Sequence, residues 1–574
     1  MRFAALPRRG PARADRLAWL AALVLLLALA LAGRRYHWVE EAGTAERDGY
    51  VAQGEQLRAG SLPHDPYRPL LYPLLIAAVT PLTGDAFAAA RLLSNVAAAA
   101  LAWLAWACGR RLAGAAAGAW AMALAAVNPN LWIIGQHATT DMLFAALGAA
   151  CLLAALRYLQ QPAWLSALLC GAALGLAIFT RANAIVLLPA LLVAWWLAPA
   201  APAGAAVRPD AEPPGAAIDR DASPLDAAID RDAAPLDAAI DRDAAPLDAA
   251  LGSAAGGGRR AGRWRHLVLA LAAAIVVLVP HWALRYAAFG NPLHDENWKN
   301  LAFKLYGYPD WSYLDRVPFH SLAEIVRHDP AAVLRGGIAE LERFAAAGAA
   351  QLFGTAAHVI LIAAGALWAL WNRATRRSAS WLLFALASFL GVTALVFFTW
   401  GRLLLVLLPG SYALAFAPWS HARPRAGRVL RGALSAVAAA LVLVLAVKTF
   451  VFRLPAFAAR HPYVEVELLR GLDARLPAAA VLGGSSPFLG RYLRHRYLAL
   501  PDAFGDEIVR PALYYARLER QVRQAGIGWL VIGPVDLRSR PAGLLGPAAP
   551  VPWLAPAGGD RGVIVWKVID SSAR

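Results

Sequence analysis

The residues best suited to chemistry lie in a short stretch, Arg47–Pro73, that follows the first apolar run of the chain. It opens RDGYVAQGEQLRAG and closes RPLLYP, so Glu46, Asp48 and Tyr50 stand close to a Pro- and Tyr-rich return into apolar sequence at Tyr72. A carboxylate held at a membrane surface can serve as general base toward an acceptor whose partner substrate stays dissolved in lipid. The bland alternative is a solvated turn, which RDG alone would also suit. A second acid, Asp141 in HATTDMLF, stands at the mouth of another apolar run, where an ionisable group is expensive and marks function by default. As the first residue of a helix it would equally serve as a capping carboxylate favoured by the dipole.

Three arginines, Arg181, Arg285 and Arg402, each begin or follow an apolar run. A guanidinium binds phosphate through a planar fork of donors. Snorkelling to lipid headgroups is the competing reading. His281 offers a substrate contact, and its neighbour Trp282 is as well explained as an interfacial anchor.

The elements that must position these groups are apolar helices. The 574 residues are 59% hydrophobic and 16% charged, with a mean hydropathy of +0.48. Soluble chains carry roughly a quarter charged residues, so much of this surface faces lipid. The formal charge of +17 does not indicate nucleic acid, because the arginines flank apolar runs as topology signals do. Cys108, Cys151 and Cys170 lie in or at the ends of such runs. No CxxC or Cys/His spacing points to a disulfide framework or a metal, so no cofactor is assigned and a metal requirement stays open.

A spanning helix needs about 20 mostly apolar residues. Candidate cores are 17–32, 86–108, 112–127, 141–156, 164–179, 184–197, 267–284, 356–371, 381–398, 403–419 and 433–451. Together they make about eleven spans. The apolar run 70–82 is broken by Pro73 and Pro81 and reads as a helix along the interface. Basic turns at the N-terminus, Arg110–Arg111, Arg373–Arg377 and Arg423–Arg431 fall on one side with this count, which places them in the cytoplasm. ALALAG near the N-terminus also suits a cleaved signal peptide, and either reading leaves Asp48 outside.

The expected organisation is a first transmembrane half over 1–199 with an external loop at 33–69, a cytoplasmic linker over 200–263, a second transmembrane half over 264–451 with an external loop at 285–355, and an extracytoplasmic α/β domain over 452–574. Within the linker, residues 216–248 hold three near-copies of AAIDRDAAPLD. A proline in each copy rules out a supercoiled helix and predicts disorder. In the last domain AAVLGG, GWLVIG and GVIVWKV predict buried strands, with a helix near Leu513–Ala525.

The order of these pieces resembles the GT-C glycosyltransferases, in the bacterial branch related to protein O-mannosyltransferases and the lipid A aminoarabinose transferase. Glu46, Asp48, Tyr50 and the later LRAG resemble the family's acidic-x-x-x-Tyr…Leu-x-x-Gly pattern, and RPLLYP its Pro-x-Tyr-Pro segment. HATTDMLF resembles the second acidic motif, VPHWALRYAAFGNPL the Pro-x-Trp-x-x-Arg-x-Tyr-x-x-x-Gly junction, and TWGRLLLVLLPG the late Arg…Pro motif. The likeness covers Leu17–Pro418 apart from the linker. The family's acid stands four residues before the tyrosine, at Glu46 here, whereas the motif's only aspartate is Asp48, so both are candidates.

The resemblance implies a mainly α, polytopic membrane bundle that takes a sugar from a polyprenyl-phosphate donor with inversion, in a bacterial inner membrane. Asp48 or Glu46 would be the base, with Asp141 positioning the acceptor. Arg285, Arg402 and Arg181 would bind the donor phosphate, and Tyr50, Tyr72 and His281 would contact substrate. The implied partners are the bilayer, the lipid-linked donor, and a glycan, lipid or protein acceptor. Two other readings remain. One is a lipid or solute transporter or flippase, against which stands the lack of paired half-length spans. The other is a non-catalytic assembly or export partner whose working part is the C-terminal domain.

Excising 216–248 is expected to leave membrane insertion and activity nearly intact, with reporter fusions after Arg263 reading cytoplasmic and those after Phe452 external. Loss of insertion in the deletion would make the repeat structural.

Overall fold

The computed structural model describes residues 13–35, 49–63, 65, 67–198, 260–306, 318–399, 401–421, 426–456, 471–477, 479–484, 493–500, 510–532, 551–560 and 563–569. Glu46, Asp48 and the repeats at 216–248 lie outside them. The chain divides into two compact units, one drawn from 1–35, 51–297 and 334–455, the other from 36–50, 298–333 and 456–574.

In the first half the helices are α1 (Arg13–Arg35), α2 (Tyr50–Arg58), α3 (Leu71–Thr83), α4 (Ala86–Ala113), α5 (Ala115–Ala126), α6 (Pro129–Ile134), α7 (Asp141–Gln160), α8 (Trp164–Thr180) and α9 (Leu188–Leu197). The second half opens with α10 (Arg260–Phe289), α11 (Lys299–Tyr306) and α12 (Leu322–His328). It continues with α13 (Pro330–Arg343), α14 (Ala349–Phe353), α15 (Ala356–Trp371), α16 (Arg376–Val396), α17 (Leu407–Ala415) and α18 (Ala426–Val447).

Six helices among the described residues are long and apolar enough to cross a bilayer, or seven if 330–353 and 356–371, bent by 96°, form one broken span. The count of about eleven drawn from sequence is larger because four apolar cores fold as shorter pieces. Gly114, with φ +90°, separates α5 from α4. A 3-10 turn over Ala182–Leu187 separates α9 from α8. The core at 403–419 becomes α17 between two 3-10 turns, and every residue of α17 is buried. A helix that is apolar all round belongs inside a bundle rather than against lipid. The helix read along the interface is present as α3, with Tyr72, Pro73, Ile76 and Thr80 buried.

Helix directions follow from small residues and short turns. A three-residue turn after Gln160 folds α8 back along α7, so the start of α7 and the end of α8 share one end of the bundle. Gly171 and Gly175 of α8 then lie on Ala270 and Ala274 of α10. A Cβ on Gly171 would stand 1.9 Å from the Ala270 carbonyl oxygen, and one on Gly175 2.8 Å from that of Ala274. Matching steps along both helices make the pair parallel, the small-xxx-small packing that membrane helices use where no hydrophobic effect draws them together. Further along, Phe179 meets His281 at 5.0 Å between ring centroids and joins Leu70 and Leu278 in one apolar cluster.

At the opposite end of α7, Tyr158 stacks on Trp195 of α9 at 4.6 Å, and its hydroxyl lies 3.3 Å from His266 Nδ1 of α10. The chain therefore leaves α9 and enters α10 at the end away from Asp141.

In the second unit a five-stranded sheet has the order β2-β1-β3-β5-β4. Its strands are β1 (Val481–Gly484), β2 (Arg496–Ala499), β3 (Trp529–Ile532), β4 (Leu554–Asp560) and β5 (Val563–Val568). β1 runs parallel to β2 and β3, while β5 is antiparallel to β3 and β4. Helix α19 (Pro511–Gln524) lays Tyr514, Leu518 and Val522, one stripe at i, i+4 and i+8, into a core with Leu530, Ile532 and Trp566. The three apolar segments expected as strands are β1, β3 and β5, and the expected helix is α19.

Gly171→Leu sets a branched side chain against backbone that cannot rotate away, so the loss should exceed the ~1–3 kcal/mol of ordinary overpacking. Thermal unfolding in detergent checks this, with Gly391→Leu as a control because a Cβ at Gly391 meets nothing within 4 Å. Equal melting of the two variants would show that the seam carries no stability.

Candidate active site

The site is built around Asp141. Its placement begins at α6, where the Asn128 side chain accepts from the Asn130 N–H at 2.9 Å and Pro129 occupies the first helical position. Asn128 Nδ2 also donates to the Leu352 carbonyl at 2.8 Å and to the Tyr412 hydroxyl at 2.9 Å. After α6 the chain is pinned twice more before α7 starts. Gln136 Nε2 donates to the Leu29 carbonyl at 2.9 Å and to Asn95 Oδ1 at 3.0 Å. The His137 carbonyl accepts from Ser94 Oγ at 2.7 Å.

Tyr72, expected to touch substrate, is fully buried here. Its hydroxyl donates to the Ala90 carbonyl at 2.8 Å and lies 2.9 Å from Ser94 Oγ, which makes it a brace between α3 and α4. Tyr50 is buried at the start of α2.

The Asp141 carboxylate is wholly buried. Thr139 Oγ1 donates to Oδ2 at 2.9 Å, Arg181 pairs with Oδ1, and Arg402 NH1 stands 3.6 Å from Oδ2. Two of the three arginines singled out in the sequence thus converge on the second acid, from the end of α8 and from the 3-10 turn Gly401–Leu404. Close packing behind them sets the approach. Gly148 is two turns along α7 on the face of Asp141, and a Cβ there would stand 2.7 Å from Val406 Cγ2. The missing side chain lets the buried run Leu403–Val406 lie against α7, which carries Arg402 to Asp141. One buried carboxylate thus faces two guanidiniums.

Arg285 is elsewhere. Its NH1 donates to the Asp65 carbonyl at 2.5 Å, and its guanidinium lies 5.3 Å from the Phe289 ring centroid. Asp65, which sequence reasoning passed over, organises this second group. It accepts from Gln53 Nε2 at 2.7 Å, from the Tyr67 and Arg68 N–H groups at 2.8 and 3.1 Å, and from Arg68 NH1 at 2.7 Å. Asn297 closes the arrangement by donating to the Tyr67 carbonyl at 2.5 Å and to Asp295 at 2.7 Å. Burial pushes the Asp295 carboxyl above the usual range, against the hydrogen bonds from Asn297 and the charge of Arg285.

The signal for Asp65 was its place in DPYRP, where an aspartate accepts the N–H two residues on and fixes the turn. His281 lies on Phe179, a member of the apolar cluster with Leu70 and Leu278, and its Nδ1 meets no hydrogen-bond partner among the described residues. No group of three His, Cys, Asp or Glu that could hold a metal occurs among the described residues.

Comparison with known proteins agrees with this architecture. The family described as dolichyl-phosphate-mannose-protein mannosyltransferase matches residues 67–203, which include Asp141 and Arg181. The ArnT structure from Cupriavidus metallidurans bound to undecaprenyl phosphate superposes with a TM-score of 0.55 at 15% identity, covering 96% of this chain and 97% of that one. Its apo state gives 0.54 at 15% identity, covering 96% and 98%. The Archaeoglobus fulgidus oligosaccharyltransferase in the apo form gives 0.46 at 11% identity, covering 90% and 70%. No curated protein matches the chain by sequence.

The molecule is therefore a polytopic helical membrane protein with a small α/β unit. Its fold is that of the ArnT structure, and its residues 67–203 match the mannosyltransferase family model, in keeping with the resemblance drawn from the sequence motifs.

Breaking a buried pair by removing one partner costs about 3–5 kcal/mol, because the remaining charge is left uncompensated. Asp141→Asn is expected to lower stability on that scale, and Arg181→Ala similarly. Arg402→Ala should cost less, since its contact is longer. Thermal unfolding of the three variants checks the order, and an unchanged Asp141→Asn would show that the trio is not a closed electrostatic unit.

Proposed function

We propose that the chain is an integral membrane glycosyltransferase that moves a sugar from a polyprenyl-phosphate carrier to an extracytoplasmic acceptor with inversion, in a bacterial inner membrane. The observation that carries this reading is the gathering of the two guanidiniums of Arg181 and Arg402 on the buried Asp141. Such a group suits a phosphate that gains charge as the sugar departs. Undecaprenyl phosphate in the ArnT structure that shares this fold supports the choice of carrier.

In the proposed reaction a first-loop acid, Asp48 or Glu46, takes the proton of the acceptor nucleophile. The nucleophile attacks the anomeric carbon from the face opposite the phosphate, and the bond to the phosphate oxygen breaks with its electron pair. Arg181 and Arg402 hold the departing phosphate, and Asp141 fixes their forks in place. Arg285, which donates to the Asp65 carbonyl, secures the return of the first loop to the bundle and is the third candidate for the donor phosphate. The second unit, with its α/β sheet, then lies on the extracytoplasmic side.

Purified protein incubated with a panel of polyprenyl-phosphate sugars should release polyprenyl phosphate with one of them. Asp48→Asn is expected to cut turnover about 10²-fold or more with donor binding retained, and Glu46→Gln beside it ranks the two acids. Arg402→Ala should weaken donor binding. Full activity in both carboxylate variants would defeat the assignment of the base, and no release from any donor would defeat the reading as a whole.

A further inference from the structure

A buried carboxylate outside the Asp141 group has no role in the reaction above. Glu340 of α13 is 2% exposed. An anion out of water costs several kcal/mol unless it is paired and hydrogen-bonded, so its partners show what it holds. Arg343 NH2 stands 2.6 Å from Oε1 as an ion pair, at a guanidinium that is itself mostly exposed. The other oxygen is spent on a single residue. Oε2 accepts the Thr399 backbone N–H at 3.1 Å and the Thr399 hydroxyl at 2.7 Å.

Thr399 lies beyond the end of α16, three residues before Arg402. A segment between a helix end and a 3-10 turn has few backbone bonds of its own, so an outside partner must fix it. On the far side of Arg402 the buried run Leu403–Val406 is seated against α7 at Gly148. On the near side Glu340 supplies a fixed point. Gly337, one turn earlier on α13, keeps that helix close, since a Cβ there would stand 2.5 Å from Leu395 Cδ2 near the end of α16. A neutral acceptor would satisfy Thr399 without burying a charge. The carboxylate makes a bond roughly twice as strong, which is what a fixed guanidinium at the end of a short tether requires.

We infer that Glu340 is a positioning residue: through Thr399 it sets the place of Arg402 over the donor phosphate. The inference rests on the phosphate-binding role of Arg402 proposed above. Glu340 touches no substrate. It acts on how well Arg402 is aimed, so its loss shows in affinity for the phosphate and not in the base chemistry.

The test uses the full chain in nanodiscs with undecaprenyl phosphate as the probe, in a double-mutant cycle of Glu340→Gln with Arg402→Ala. Glu340→Gln should weaken binding about tenfold, the scale of one charged hydrogen bond, and should add nothing in the Arg402→Ala background. In turnover the loss should fall on kcat and kcat/KM, because Arg402 meets a phosphate whose charge grows as the sugar departs, and Glu340→Asp should restore part of it. Thr399→Val, which removes only the hydroxyl bond, repeats the cycle should Glu340→Gln fail to fold.

Additive losses, or unchanged affinity in Glu340→Gln and Thr399→Val beside a weakened Arg402→Ala, overturn this inference and leave the proposed function standing. Unchanged affinity in Arg402→Ala removes the phosphate role of Arg402 and this inference with it.

Discussion

An ionised carboxylate with no access to water is the constraint on which the bundle's charged end depends. Asp141, at the start of α7, can remain charged only while cations stand against it, and those cations arrive on two other pieces of chain: the end of α8 and the turn after α16. Each piece has to be brought to the same point within a few tenths of an ångström. The packing of small residues, the Asn128 and Gln136 anchors and the Glu340–Thr399 contact are the means by which that is done. The electrostatics thus dictate the geometry of a large part of the bundle.

The sequence disclosed some of this. Apolar runs and basic turns gave the helices, because hydropathy over about 20 residues is a local quantity. The strands β1, β3 and β5 were legible for the same reason. β2 and β4 were not. β4 contains Pro556, Gly558 and Gly559, residues that weaken a strand pattern and are tolerated because β4 forms an edge of the sheet. Hydropathy does not distinguish a segment buried in protein from one facing lipid, and α17 is buried throughout.

The charged residues show the limit more sharply. Asp141, Arg181, Arg285 and Arg402 each stood out singly, yet nothing local told which of them would meet. Arg181 is 40 positions from its partner, and Arg285 turned to a carbonyl 220 positions away. Asp65, passed over in the sequence, fixes an ordinary turn. Its second role, receiving Gln53 and Arg68, appears only when the loop is closed.

The parallel seam of α8 with α10 bears on how the protein is made. The two transmembrane halves touch through glycine and alanine faces complete within each half, Gly171 and Gly175 on one side and Ala270 and Ala274 on the other. In a bilayer such faces find each other by lateral diffusion, after the helices have been inserted independently. The covalent connection between Ala198 and Arg260 contributes proximity, and the seam, with the contacts of Asn128 and Gly148 across the halves, contributes the specificity of the match. Two separately synthesised polypeptides, divided in that stretch, would carry the same instructions for assembly as the single chain.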